Sequence, residues 1–113
     1  LFYGAVTSNA LYSVPVRDLH EGRVASPTLV SDKKPITDGG STDVQGNVWL
    51  TAQAQSAIAA AVPEQGGGFR IVKVAQSEAL FRWTDGLSFG PGGLYATCSA
   101  IHLKMSGGLQ GKG

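Results

Sequence analysis

The stretch "FRIVKVAQSEALFRWTDG", Phe69 to Gly86, carries the strongest strand signal in the chain. "FRIVKVA" and "EALFRWTDG" are rich in β-branched and aromatic residues, and Gln76 and Ser77 between them predict a hairpin. In the second run a period of two puts Ala79, Phe81 and Trp83 on one face and Leu80 and Arg82 on the other. The aromatic face is then the buried one. Asp85-Gly86 ends the strand as a turn pair, and Gly90-Pro91-Gly92-Gly93 carries the chain across the end of the sheet. Glycine in that run supplies backbone angles that other residues resist. Phe89 and Tyr95 flank the glycines and are candidates to face a partner.

Working outward, "AIHLKMS" (Ala100 to Ser106) has the cleanest alternation in the chain, with Ile101, Leu103 and Met105 inward and His102 and Lys104 outward. Before Phe69, "TAQAQSAIAAAVPEQ" has the Ala and Gln content of a helix, with Thr51 as N-cap and Pro63 as stop. It also lacks the charged face of a surface helix, so an extended segment is the alternative. "SDKKPITDGGSTDVQGN", Ser31 to Asn47, is polar and turn-rich and predicts a long surface loop. In "ALYSVPV" and "RVASPTLV" the prolines Pro15 and Pro27 remove ladder donors, which predicts edge strands or an extended arm in place of central strands.

The expected fold is mainly β: a small antiparallel β-sandwich or barrel with an extended amino-terminal arm and at most one short helix. It is expected as a single domain, with an arm and long polar loop over residues 1–47 and a β-rich core over residues 48–113. A chain of 113 residues has little room for a second core. A chain that starts at Leu1 suggests a processed protein or a segment of a longer one.

Composition narrows the function. Charged residues make up 15%, against about 25% in ordinary soluble domains. With 16 glycines, this suggests a chain that hides surface against neighbours. A net charge of +1 gives no electrostatic reason to expect nucleic acid. In "LFRW" the alternation also separates Arg82 from the aromatics that a single strand would stack on. No apolar run reaches the ~20 residues of a bilayer span, so no membrane partner is expected. The lone Cys98 rules out an internal disulfide and is expected to be a small buried hydrophobe.

Catalytic and cofactor chemistry is thinly supplied. His20 in "RDLHEG" adjoins Asp18 and Glu21, an arrangement most simply read as a solvated polar turn. His102 lies on the polar side of its strand. Asp38 and Asp43 in "TDGGSTD" lack the alternating ligands and closing glutamate of an EF-hand loop. No G-x-S-x-G elbow and no phosphate loop is present. The chain is therefore read as a non-enzyme without cofactor or metal. Trp49, Trp83, Phe89 and Tyr95 leave a sugar-stacking platform as a second reading.

"EALFRWTDGLSFGPGGLYATCSAIHLKMSGG" resembles the closing hairpins of small β-sandwich proteins in tailed-phage virions. The matching residues are Arg82, Asp85 and Gly86, then Gly92 and Gly93, then Ile101, Leu103 and Met105, which cover the last third of the chain. The resemblance implies a virion location and a decoration, cement or head–tail accessory role, commonly as a symmetric oligomer. The implied partners are other copies of the chain and a larger assembly such as a capsid. Phe2, Tyr3, Leu11 and Tyr12 are the expected anchors, because they form an apolar stretch that a monomer leaves partly exposed. The alternative is a small β-sandwich module that binds carbohydrate or another ligand.

Overall fold

A computed structural model describes residues 1–99 of the chain. Its architecture turns on "AIAAAVP". Ala57–Pro63 is a strand whose first five residues, Ala57 to Ala61, are all buried. It lies between Val48–Ala52 and Phe69–Gln76 and pairs antiparallel with both. Among the described residues the fold is mainly β, with three antiparallel sheets, one short helix and no closed barrel.

In chain order the strands are β1 (Phe2–Tyr3), β2 (Leu11–Ser13), β3 (Thr28–Ser31), β4 (Gly40–Thr42), β5 (Val48–Ala52), β6 (Ala57–Pro63), β7 (Phe69–Gln76), β8 (Thr84–Gly90) and β9 (Gly93–Cys98). The helix α1 spans Val16–His20. The sheets are ordered β1-β2-β3, β4-β5-β6-β7 and β8-β9. The first two share one core. Leu11 of β2 packs with Val48, Leu50 and Ala61, and Phe2, Val30, Phe69 and Ile71 close around them. The β8–β9 hairpin lies against the other face of β4 and β5.

Five expectations require correction. The helix expected from Thr51 to Pro63 is instead the end of β5, a one-turn 3-10 helix at Gln53–Gln55, and β6. A lone helix of this length is marginal in water. As a central strand, the same residues have their backbone groups paired on both sides. Ser56, at φ 48°, makes the left-handed reversal between the two strands. Propensity yields here to tertiary context.

The hairpin expected across Gln76 and Ser77 is not formed either. The segment after β7 turns, with the Phe81 amide bonded to the Ser77 carbonyl, and Trp83 adopts φ 47°. A left-handed residue interrupts the extended backbone that alternation needs. Phe81 and Trp83 are half-buried outside any strand. The hairpin runs instead from β8 to β9 around Pro91-Gly92, where Pro91 and Gly92 (φ 90°) match the central positions of a type II turn.

Upstream, β2 is the central strand of its sheet, because Pro15 falls after the strand and initiates α1. The Ser31–Asn47 segment contains β4 and the buried residues Lys34 and Thr37. The fifth correction is Cys98, which is exposed at the end of β9 and donates its thiol to the Leu80 carbonyl at 3.4 Å. The "AIHLKMS" strand and His102 lie outside the described residues.

Candidate protein-interaction surfaces

Strand alternation divides the expected anchors. In β1 and β2, Phe2 and Leu11 point into the shared core, while Tyr3 and Tyr12 point out. Leu11 is only 2% exposed and is a core residue, so it does not serve as a partner anchor. Phe2 is half-buried, with its ring edge-on to Phe69 at a centroid distance of 5.7 Å.

The outward residues come into line. Tyr3 is opposite Tyr12, and Tyr12 is opposite Leu29 of β3. The two tyrosine rings stack at 5.5 Å with an interplanar angle of 23°. Tyr3 is 42% exposed and Leu29 53%. This Tyr3–Tyr12–Leu29 row crosses all three strands on the solvent face of the sheet. Leu29 is not among the anchors expected from the sequence, because Pro27 marks its segment as an arm. The signal was the outward phase of Leu29 against Val30.

Phe89 and Tyr95 are not brought together. Phe89 faces Leu94 across the hairpin, and Tyr95 faces Ser88, so neighbouring positions place the two rings on opposite faces. Phe89 turns toward β5, edge-on to Trp49 at 6.2 Å. Tyr95 is exposed, and its hydroxyl donates to the Pro91 carbonyl at 2.8 Å. Trp49 thus packs against Phe89, and its indole N–H donates to Asp43 Oδ2 at 2.9 Å. No shared stacking platform arises from Trp49, Phe89 and Tyr95.

Asp43 organises the β4–β5 turn. Its Oδ1 accepts the backbone amides of Gln45 (2.9 Å) and Asn47 (3.0 Å), and its Oδ2 accepts Asn47 Nδ2 (2.8 Å) and Trp49 Nε1. These bonds, led by that from Trp49 and then that from the Asn47 side chain, lower its pKa to about 2. Four donors occupy the carboxylate, which leaves it to shape a turn and not to hold a cation. Among the described residues no group of three or more His, Cys, Asp or Glu side chains is placed to hold a metal ion. Around His20, Arg23 pairs with both Asp18 (3.6 Å) and Glu21, so the acidic neighbours serve a surface ion pair.

A cavity of about 940 Å³ opens between β1 and β4. Its floor includes Leu11, Val48, Leu50 and Phe69, and its rims run through Phe2–Gly4 and Asp38–Asp43. Lys34 closes one part of it. Only 1% of that residue is exposed, and its ammonium donates to the Pro35 carbonyl at 2.9 Å. Burial lowers its pKa from the ordinary lysine value. Asn9 holds the Lys34 backbone in place, giving its amide N–H to the Lys34 carbonyl at 2.8 Å and accepting the Lys34 amide on its own carbonyl at 2.9 Å.

Compared with known proteins, the chain matches no protein-family model and no curated sequence.

Proposed function

We propose that the chain is a structural protein of a virion, a decoration, cement or head–tail accessory protein that works by protein–protein binding. The observation that carries this reading is the Tyr3–Tyr12–Leu29 row, an aromatic and aliphatic ridge whose Tyr3 and Leu29 are exposed. Tyrosine is a favoured interface anchor because it offers large contact area at low conformational cost. The low charge of the chain suits burial of such a face. The resemblance of the last third to tailed-phage β-sandwich proteins supplies the virion setting.

The face is read as self-associating, with other copies and a capsid-like lattice as partners. Light scattering of the purified chain tests this. A mass that is a multiple of 11.7 kDa, reduced to that of one copy by Tyr12→Asp, is the expected result. A strict monomer that also fails to co-sediment with any shell overturns it. A sugar that shifts the tryptophan fluorescence would favour the carbohydrate module instead.

A further inference from the structure

Among the described residues Lys34 is the only buried side chain that can carry a charge. An ammonium group has three N–H donors. One of them goes to the Pro35 carbonyl, and no carboxylate of the described residues lies within ion-pair distance. A cation taken out of water is costly unless it is paired and hydrogen-bonded. The same side chain lines the cavity between β1 and β4. Its stem passes beside Gly4, where an ideal Cβ would lie 2.9 Å from Lys34 Cε and 3.3 Å from Cδ. The lysine therefore stands at the β1 side of a floor made by Leu11, Val48, Leu50 and Phe69. Small-molecule sites have this composition, an apolar lining with a few placed polar groups, in volumes of about 300–1,000 Å³. The cavity, at about 940 Å³, is of that size.

We propose that the cavity binds a free fatty carboxylate, with its alkyl chain on the Leu11–Val48–Leu50–Phe69 floor and its headgroup on Lys34. Charge selects the headgroup. A carboxylate brings one negative charge, which one ammonium neutralises. A phosphate monoester brings about −1.5 to −2 at neutral pH and would leave charge unmatched against an apolar floor. Lysine is a compact point charge and not a planar fork, so it suits a single small headgroup. Two acids stand on the β4 rim, and neither takes the place of the ligand. Asp43 is held by its four donors, and Asp38 is exposed, where water and salt screen it. An alkyl chain has no polar groups to satisfy, so burying it on this floor gains hydrophobic free energy without a desolvation cost. The proposal holds whether or not the chain self-associates.

Isothermal titration of the full-length chain with decanoate at pH 7, below its micellar range, tests the site. Decanoate should bind saturably. Decanol, the uncharged analogue, should bind at least about tenfold more weakly, the loss expected for one hydrogen bond between charged groups. Lys34→Met should weaken decanoate by a similar factor and leave decanol unchanged, with an unaltered urea midpoint or a higher one showing an intact fold. The comparison of decanoate with decanol on the unaltered chain decides the matter without that variant if it fails to fold. Absence of saturable decanoate binding, as when a segment of protein occupies the cavity, overturns the proposal. So does equal affinity for the two ligands, or decanoate affinity that Lys34→Met leaves unchanged. Tyr12→Asp, which tests self-association, should leave decanoate affinity as it is, so the two readings fail separately.

Discussion

Gly39→Ala probes the contact that seats the β8–β9 hairpin. An ideal Cβ built at Gly39 lies 2.8 Å from Gly86 Cα and closer still to the Asp85 carbonyl oxygen. Ordinary carbon–carbon contact is about 3.5–4.0 Å, so the methyl group forces the two backbones about 1 Å apart. Both obstructing groups are main chain, and no side chain can swing away. Overpacking of this kind costs about 1–3 kcal/mol. Against it stands the gain of about 0.4–1 kcal/mol that alanine brings by restricting the unfolded chain. Taking the middle of both ranges, the net expectation is a loss of about 1.3 kcal/mol. For a domain of this size that lowers Tm by roughly 4–8 °C per kcal/mol. Gly66→Ala is the matched control, since nothing lies within 4 Å of its ideal Cβ. It should gain the same 0.4–1 kcal/mol or so with no opposing cost. Urea denaturation followed by tryptophan fluorescence reads both variants. If Gly39→Ala is as stable as Gly66→Ala, the hairpin does not sit on β4 by main-chain contact and the reasoning fails.

Three further outcomes follow from the titrating groups. Asp43, whose pKa is lowered to about 2, binds its proton more weakly folded than unfolded, where an aspartate titrates near about 3.9. Its stabilising contribution is complete above about pH 4 and drains away as pH falls toward about 2. Acid denaturation of Asp43→Asn should lack that component and start from a lower stability at pH 7. Lys34 has its pKa lowered by burial, so the folded chain sheds this proton before the unfolded one does, and the Lys34 contribution becomes more favourable as pH rises toward the ordinary lysine range. Lys34→Met should be at least as stable at pH 7, and its melting temperature should lack that alkaline gain. Cys98, although exposed, has its pKa raised by partial desolvation of its thiol and then by the charge of Asp85, so iodoacetamide should label it completely at pH 8 but more slowly than free cysteine.

Much of the fold was legible where a physical rule had one outcome. The β-branched and aromatic content of "FRIVKVA" gives β7, whereas Asp85-Gly86, expected to end a strand, lies inside β8, and the Gly90–Gly93 run, expected to cross the end of a sheet, is the tip of the β8–β9 hairpin. The rules failed where two of them competed. The alanines of β6 favour a helix locally, and only pairing with β5 and β7 makes them a strand. Trp83 fits an alternating strand by residue type, yet its left-handed backbone depends on how the chain leaves β7 to reach the hairpin. The exposed row on the β1–β3 sheet was half legible. Tyr3 and Tyr12 followed from apolar content near the start of the chain. Phase alone separates them from Phe2 and Leu11, and phase requires knowing which face is covered. Leu29 and the rim residues Gly40 and Thr42 were hidden in segments that proline and glycine marked as irregular.

The β8–β9 hairpin has a consequence for the order in which the molecule comes apart. Of its two strands only Thr84 is fully buried, and that residue's hydroxyl is one of two buried side-chain polar atoms without a hydrogen-bond partner among the described residues. Among the described residues the hairpin is held against β4 and β5 by packing that includes the Gly39 contact and the Phe89–Trp49 pair. Regions with few buried contacts open at a free energy below that of global unfolding. Its departure uncovers Trp49 while the Leu11–Val48–Leu50–Ala61 core stays closed. The expected order of opening is the hairpin first and the paired sheets last. A protease that cuts at the Pro91-Gly92 tip samples the first without touching the second.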